Sequence, residues 1–441
     1  MVGNSLDRRT VLKYGLGSLP VVFTGCAIGR GTRRNGTLRL ASIGCGRMGR
    51  GDMRSLLNRG LSKELDARFV AVCDVDANRA RTAKQDLEKI YRDKLQGESA
   101  PEITVYRDFR ELLARDDIDA VHVSSPDFWH GEHGVAAAKA GKDIYIQKPL
   151  TYSVREGQAL VEAVRANDII LQVGSQQRSD RRFRQACELV RNGRIGKLER
   201  VVVWLPSDRG KVEDRQEPAP EALDYDLWMG PTMARPYIEK GVHPKKGFGR
   251  PGWLQRDGYC RGMITGWGSH MNDTAQWGHG SDLTGLTEIE ATAKFPDRGI
   301  FDVHTEFRAV GKWADGVELI QETNRQAGIH FKGSEGSIFV RRGGIQADPA
   351  SLLKEEIGDD ETKLYVSDDH YRNFLECVRS RKEPICPVEV GHRSNSLCVI
   401  THIAMKLDRK LTWDPTNEVF VGDDAANKML DFPRRDPWRL S

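Results

Sequence analysis

The segment Gly44-Cys45-Gly46-Arg47-Met48-Gly49 spaces its glycines as a main chain must to lie against a pyrophosphate. Gly44 permits a tight turn, Gly46 lets the backbone approach the phosphates, and Gly49 lets a helix pack closely on a strand. Arg47 and Met48 open that helix, whose free N–H groups and partial positive charge face an anion. Alone the motif is weak. Asp74 strengthens it, because it ends the apolar run Arg68 to Cys73, 25 residues after Gly49. A carboxylate there holds the ribose hydroxyls of a dinucleotide and repels a 2′-phosphate, which favours NAD over NADP. The competing reading is that Asp74 only caps the next helix. Two further residues could handle a proton. Lys148, in Gln147-Lys148-Pro149-Leu150, follows the apolar run Asp143 to Ile146. An ammonium at a strand end can stabilise a developing alkoxide. His270, in Gly268-Ser269-His270-Met271-Asn272-Asp273, suits general-base work, since the ordinary imidazole pKa of about 6.5 lies near working pH.

These residues need a frame. Short apolar runs at 38–43, 68–73, 118–124 and 143–146 alternate with helical patterns, one with Met53, Leu56 and Leu57 on a single face and one over His130 to Ala140. Such alternation implies a parallel sheet of the Rossmann type, with ligands beyond the carboxyl ends of its strands. Gly46, Asp74, Ser125, Pro126 and Lys148 then share one edge, and His130 opens the helix behind it. Further on, Val154 to Asn167 is amphipathic, with Leu160, Val161 and Val164 inward. Runs at 198–205, 287–295, 301–310, 317–323, 328–332 and 337–341 read as strands. Several alternate apolar and polar residues, which suits an antiparallel sheet with one face covered. Helices are expected over 370–381 and 391–407, and the stretch 423–441 should wrap over a domain surface. The segment 206–263 has no clear period, and a loop that long is usually functional, so it is assigned to the rim of a substrate pocket. The expected organisation is a leader and linker at 1–35, a dinucleotide domain at 36–150, and an α+β substrate domain at 151–441. Gln176 and Arg178 follow the strand ending at Val173-Gly174 and could bind hydroxyls or an acidic group, though a solvated loop is an equal reading. Trp253 and Trp267 could stack on a sugar face or lie in a core. His243, Tyr259 and Arg261 are weaker candidates.

Composition closes off other classes. The chain has 441 residues, 39% hydrophobic and 29% charged, with a net charge of +4. Its basic residues are scattered with no aromatic-interleaved stripe, which argues against a nucleic-acid partner. No apolar run reaches the roughly 18 residues of a membrane span. The eight cysteines include no CxxC pair and no Cys/His cluster of zinc spacing, so neither a disulfide framework nor a metal site is expected. Near the start, Arg8-Arg9-Thr10-Val11-Leu12-Lys13, the apolar stretch Tyr14 to Gly25 and a Gly- and Arg-rich linker come in the order of a secretory leader. The paired arginines resemble a twin-arginine signal, which points to the periplasm or cell envelope; the alternative is a disordered arm on a cytoplasmic protein. Phe23-Thr24-Gly25-Cys26 resembles a lipoprotein cleavage site with Phe23 in place of the usual Leu, and a lipid anchor at Cys26 stays open.

From residue 38 onward the chain resembles the Gfo/Idh/MocA family, the group of glucose-fructose oxidoreductase and inositol dehydrogenase. The segments that carry the resemblance are the glycine motif, Ser125-Pro126-Asp127-Phe128-Trp129-His130, Gln147-Lys148-Pro149-Leu150 and Gly268-Ser269-His270-Met271-Asn272-Asp273. Echoes are Tyr225-Asp226-Leu227-Trp228-Met229-Gly230-Pro231 and His370-Tyr371-Arg372-Asn373-Phe374. The resemblance implies hydride transfer between NAD(P) and a secondary alcohol of a sugar, cyclitol or glycoside, with Lys148 and His270 as catalytic residues. It also implies an open, mainly antiparallel second sheet whose outer face builds a dimer or tetramer. Two positions depart from the pattern. The family's usual Glu before the lysine is Gln147, and its usual Asp four residues before the histidine is Gly266. Asp273 matches another acidic position of the family and is either structural or a partial substitute. An exported enzyme would need a cofactor that stays bound and is regenerated within each cycle. Redox-neutral glycoside cleavage, by oxidation, elimination and re-reduction, is therefore an alternative. A NAD- or sugar-binding envelope protein without catalysis is another.

Overall fold

The computed structural model describes residues 36–95 and 99–440. The leader pattern and Cys26 lie outside the described residues. The first sheet has six parallel strands, β1 Leu38–Ile43, β2 Ala67–Cys73, β3 Thr104–Tyr106, β4 Ala120–Val123, β5 Asp143–Ile146 and β6 Leu171–Val173, in the order β3-β2-β1-β4-β5-β6. Its connecting helices are α1 Arg47–Gly60, α2 Ala77–Lys94, α3 Phe109–Leu113, α4 His130–Lys139 and α5 Val154–Ala166. The order of strands reverses direction between β1 and β4, and the crevice for a ligand opens at that point. Local chemistry starts each helix. Asp76 caps α2 by accepting from the N–H groups of Asn78 and Arg79. Ser153 and Glu156 form a reciprocal capping box on α5. Met53, Leu56 and Leu57 of α1 are buried against the sheet, as their spacing requires. Leu160 and Val164 of α5 are buried as well, with Val161 only partly so. The sheet also runs past residue 150, where the sequence suggested a domain boundary, because β6 is its sixth strand.

The remaining strands, β7 Leu198–Leu205, β8 Glu288–Lys294, β9 Glu306–Lys312, β10 Glu318–Thr323, β11 Gly328–Gly333, β12 Ser337–Arg341, β13 Gly344–Asp348, β14 Leu411–Asp414 and β15 Val419–Phe420, form one open sheet in the order β13-β12-β11-β7-β10-β9-β8-β14-β15. All pairs but β7–β10 are antiparallel. Alternate residues, Val201, Val203 and Leu205 of β7, Leu319 of β10, Ile329 and Phe331 of β11 and Ile338 and Val340 of β12, enter the main core. Helices α6 Arg181–Arg191, α7 Tyr225–Met229, α8 Met263–Gly266, α9 Gly268–His279, α10 His370–Ser380, α11 Val388–Leu407 and α12 Asp424–Lys428 complete the chain. Helix α11 is buried nearly all round, buried polar residues such as Asn395 and His402 included, and is a wedge between α5, α9 and β8. Helix α10 crosses back to α1, where Phe374, Leu375 and Val378 share a core with Leu56 and Leu57. The expected strand at 301–310 begins at Glu306, and β3 and β13 to β15 were too short or too polar to show a period.

The tail does wrap. Arg435 donates to the carbonyl of Gly230 at 2.6 Å and pairs with Asp226, and Arg434 pairs with the buried Glu156 at 3.3 Å. The Trp438 ring meets Trp129 edge-on, with centroids 4.8 Å apart.

Candidate active site

A cleft follows the carboxyl edge of the parallel sheet. The first domain contributes Gly44, Gly46, Arg47, Met48, Asp74, Ser125, Pro126, Asp127, His130, Gln147 and Lys148, and the second contributes Arg250, Trp253, Met263, Gly266 and Trp267. At one end the backbone itself is the binding surface. Gly44 has φ +93°, and a Cβ there would lie 2.5 Å from the Ser124 carbonyl carbon. A Cβ on Gly49 would lie 2.2 Å from the Gly44 oxygen. At Gly46 a Cβ would meet only an Arg79 nitrogen at 3.8 Å, so the space above it is open. Gly46 is also the N-cap of α1 and makes no side-chain cap bond, and the first turn holds no acid. Open space over uncapped helix N–H groups fits a dinucleotide pyrophosphate.

Asp74 borders this end. Its Oδ2 accepts from the Cys45 N–H at 2.7 Å and its Oδ1 from the Asp76 N–H at 2.9 Å. It therefore fastens the glycine loop to β2, while Asp76 performs the capping. Burial raises the Asp74 pKa, and the two backbone donors hold it back. A strap of chain covers the same end: Arg79 donates to the carbonyls of Pro244 and Gly247 at 3.2 and 3.5 Å, and the guanidinium of Arg50 stacks 4.0 Å from the Phe248 ring. His243 joins the strap to Asp76 at 3.1 Å. His130 ties the two strand ends together, its ring nitrogens lying 2.6 Å from the Pro149 carbonyl and 3.0 Å from that of Ser125. Burial pushes its pKa down to about 4, so the ring is neutral and one nitrogen donates.

At the other end side chains take over. Lys148 precedes a cis proline and donates from Nζ to the Gly266 carbonyl at 2.9 Å. Burial lowers its pKa. Arg342 and Arg250 push the same way, and Asp127 and Cys260 oppose. Asp127, to which no role was assigned from its motif, lines the cleft beside it. It is buried, its Oδ2 has no hydrogen-bond partner among the described residues, and burial pushes its pKa up to about 6 against the pull of Lys148. Gln147 has a reason not to be Glu: its amide donates at 2.7 Å to Asp52, a buried carboxylate that also accepts from Tyr371 at 2.7 Å and faces His122 at 3.2 Å. A second carboxylate there would face Asp52 with no cation between them.

His270 lies on α9 with its ring 6.2 Å from that of Trp267. It is buried, is not among the cleft-lining residues, and its Nδ1 has no partner among the described residues. Burial, with the charges of Lys148 and Arg342, holds its pKa well below the ordinary imidazole value, so it is neutral. Trp253 and Trp267 line the cleft. Gln176 and Arg178 do not. Gln176 lines a separate polar depression with Arg59, Asp180 and Asp369. Arg178 and Asp273 correct the expectation of substrate contact. They form a buried two-pronged ion pair at 2.8 and 2.9 Å, with Ser394 on Asp273 at 2.8 Å and Asp282 on Arg178 at 2.5 Å. The reason is topological: β6 is the edge strand, two strands away from the β1/β4 crevice, and the turn Gln176–Ser179 aims Arg178 at α9. Arg261 is also occupied, donating to the Tyr152 carbonyl at 3.0 Å, and Tyr259 packs among Phe128 and Trp228.

Comparison with known proteins agrees with this geometry. Residues 38–175 match the model of the oxidoreductase family NAD-binding Rossmann fold, and residues 197–440 that of the oxidoreductase family C-terminal alpha/beta domain. The chain spans about half the length of several curated relatives: against myo-inositol 2-dehydrogenase of Thermotoga maritima it is 33% identical over 190 residues, 43% of this chain and 48% of that one. Against scyllo-inositol 2-dehydrogenase (NAD(+)) of Bacillus subtilis it is 32% identical over 361 residues, 79% of this chain and 88% of that one. Among solved structures, levoglucosan dehydrogenase in complex with NADH and levoglucosan superposes with a TM-score of 0.62 at 16% identity, covering 88% of this chain and 100% of that one. Aldose-aldose oxidoreductase of Caulobacter crescentus gives 0.62 at 16% identity over 86% and 100%. With both halves matched and the glycine loop, the Lys148 strand end and the nine-stranded sheet in place, the chain belongs to the Gfo/Idh/MocA oxidoreductase family.

Proposed function

We propose that this chain transfers a hydride between NAD and a secondary alcohol of a sugar or cyclitol. The observation that carries the reading is Lys148: an amino group held at 2.9 Å on the Gly266 carbonyl, in the same cleft as the glycine loop, with its charged form disfavoured by burial. NAD bound on the loop supplies the hydride acceptor. Lys148, its neutral amine favoured by the lowered pKa, exchanges its backbone contact for the substrate hydroxyl and takes the hydroxyl proton as the hydride leaves the carbon for NAD. Trp253 and Trp267 offer aromatic faces to the C–H side of a sugar ring. His270, neutral and beside Trp267, backs that wall and is the group assigned to accept the proton from Lys148 and pass it on to solvent when substrate reorders the site. Asp74 supports NAD over NADP. The inositol dehydrogenase relatives support the substrate class. The test is to extract cofactor from the pure protein, then follow reduced-nicotinamide absorbance with a panel of sugars and cyclitols. Bound NAD without turnover of any panel member or of a glycoside would overturn the reading.

The strap over the cofactor end, from His243 to Phe248, supports slow cofactor exchange, and a resident cofactor permits redox-neutral cleavage of glycosides. Cleavage that needs bound NAD but releases no NADH distinguishes that chemistry from net oxidation. Twin-arginine export to the envelope, with or without a lipid on Cys26, remains part of the proposal and is read by mass spectrometry of the native protein. The outer face of the large sheet, where Val310, Ile320, Val202, His330 and Phe339 pair across neighbouring strands, is the surface proposed for self-association. Light scattering of a Phe339→Glu variant, expected to be monomeric, tests it.

A further inference from the structure

The substrate end of the cleft carries more positive charge than its chemistry with a neutral sugar requires. Gly266 lines it, and a Cβ on Gly266 would meet only the Met263 sulfur, at 3.8 Å, so there is room at that point. Three basic side chains rest on Gly266 or its neighbours. Lys148 Nζ rests on the Gly266 carbonyl. The Arg250 guanidinium reaches the Met263 sulfur at 3.9 Å. The Arg342 guanidinium stacks 4.7 Å over the Trp267 ring. Arg250 and Arg342 are exposed, and neither makes an ion pair within 4.0 Å with any described residue. Burial is the main cause of the lowered Lys148 and His270 pKa values; both arginines add to it at Lys148, behind the opposing pull of Asp127 and Cys260, and Arg342 adds to it at His270 after Lys148. Asp127 is the carboxylate that lines the cleft at this end, beside Lys148 and Arg250; Arg342 stands on Trp267 at its border, and the nearest acids outside the lining are Asp208, which feels Arg250, and Asp180, which Arg342 feels.

Unpaired guanidinium groups beside a low-dielectric wall favour an oxyanion, and their planar forks match a carboxylate with two parallel hydrogen bonds. Stacking on Trp267 pre-orients one of them. We propose that the substrate is an acidic sugar whose carboxylate occupies the room beside Gly266 and pairs with Arg250 and Arg342, while a neighbouring ring hydroxyl meets Lys148. This inference rests on the reading of the cleft as a sugar oxidoreductase site and names the class of sugar.

The test is calorimetric titration of the full chain, saturated with NAD, with matched pairs: glucose and glucuronate, galactose and galacturonate, mannose and mannuronate, plus glucose 6-sulfate and glucose 6-phosphate. At least one uronate should bind about tenfold or more tightly than its neutral partner at low salt, and the advantage should shrink in about 0.5 M salt. Arg342→Gln and Arg250→Gln should each remove most of that advantage with NAD affinity unchanged. Gly266→Asp, which restores an acid and fills the space, should abolish it while neutral sugars still bind. The proposal is overturned if no uronate outbinds its neutral partner, if the advantage survives all three substitutions, or if Arg250→Gln weakens NAD instead, which would make that arginine a cofactor ligand. A sulfate or phosphate ester that outbinds every uronate also overturns it. Failure of the protein to bind NAD would defeat the oxidoreductase reading separately, and the same sugar titrations without cofactor would still decide the charge preference.

Discussion

At the glycine-loop end of the cleft the main chain does the binding, and there is no slack: two of the three glycines have another backbone within 2.5 Å of where a Cβ would be. At the Lys148 end long side chains form the walls, and there is space to spare beside Gly266. A site built from backbone can hold one shape of ligand and accepts almost no substitution. A site built from side chains on a rigid frame can change ligand by changing residues, which is why Gln147 and Gly266 can depart from the family pattern while Gly44, Gly46 and Gly49 do not.

The contrast is sharpest at Gly49. Gly49→Ala should weaken NAD binding by at least about 100-fold and cost about 1–3 kcal/mol of stability, because its Cβ meets the Gly44 oxygen; fluorescence titration and thermal melts read both. A well-bound NAD in that variant would break the distinction between the two ends. Lys148→Ala should lower kcat by about 10²–10⁴ while NAD affinity stays within a few-fold, as single-turnover kinetics would show. Asp273→Ala should cost about 3–5 kcal/mol by leaving Arg178 under-compensated in the core. Its melting temperature should fall without change in sugar KM, and a raised KM alone would return Asp273 to the substrate end. Asp74→Ala should weaken NAD about tenfold and narrow its advantage over NADP, measured by competition.

The smallest effect concerns protons. Asp127 raises the Lys148 pKa, so Asp127→Asn should lower it further and move the rising limb of kcat/KM toward lower pH. Asp127 itself is held near pKa 6, above its unfolded value, so the stability it contributes at low pH is lost as pH rises from about 4 through 6. The Asn variant should therefore gain stability relative to the parent above pH 6, by about 1–2 kcal/mol. An unmoved pH profile would place Asp127 outside the proton path.

What could be read from the sequence follows the same division. The glycine turn, β1, β2 and Asp74 lie within 37 residues of each other, between Leu38 and Asp74, and each signal is local. Lys148 was legible because a strand end on a parallel sheet faces the crevice. Asp52 was not, since its bond to Gln147 joins residues 95 positions apart. Arg250 and Arg342 sit on segments whose approach to Gly266 is decided by tertiary packing. Arg178 looked like a cleft residue by the strand-end rule, and the rule misled because β6 is an edge strand. The wedge helix α11 was legible as a helix but not as the contact between two layers, because its polar and apolar residues are mixed on every side and give no preferred face.

The tail has a consequence for the order of events at the ribosome. Phe432, Trp438 and Leu440 pack on the core that also holds Trp129, Phe109 and Leu160. The dinucleotide domain leaves the ribosome early, but this aromatic face stays open until residues made long afterwards arrive to cover it. Until then a nascent chain presents a sticky surface to chaperones and proteases. Closure of the clasp thus waits until the chain has been made through to residue 440.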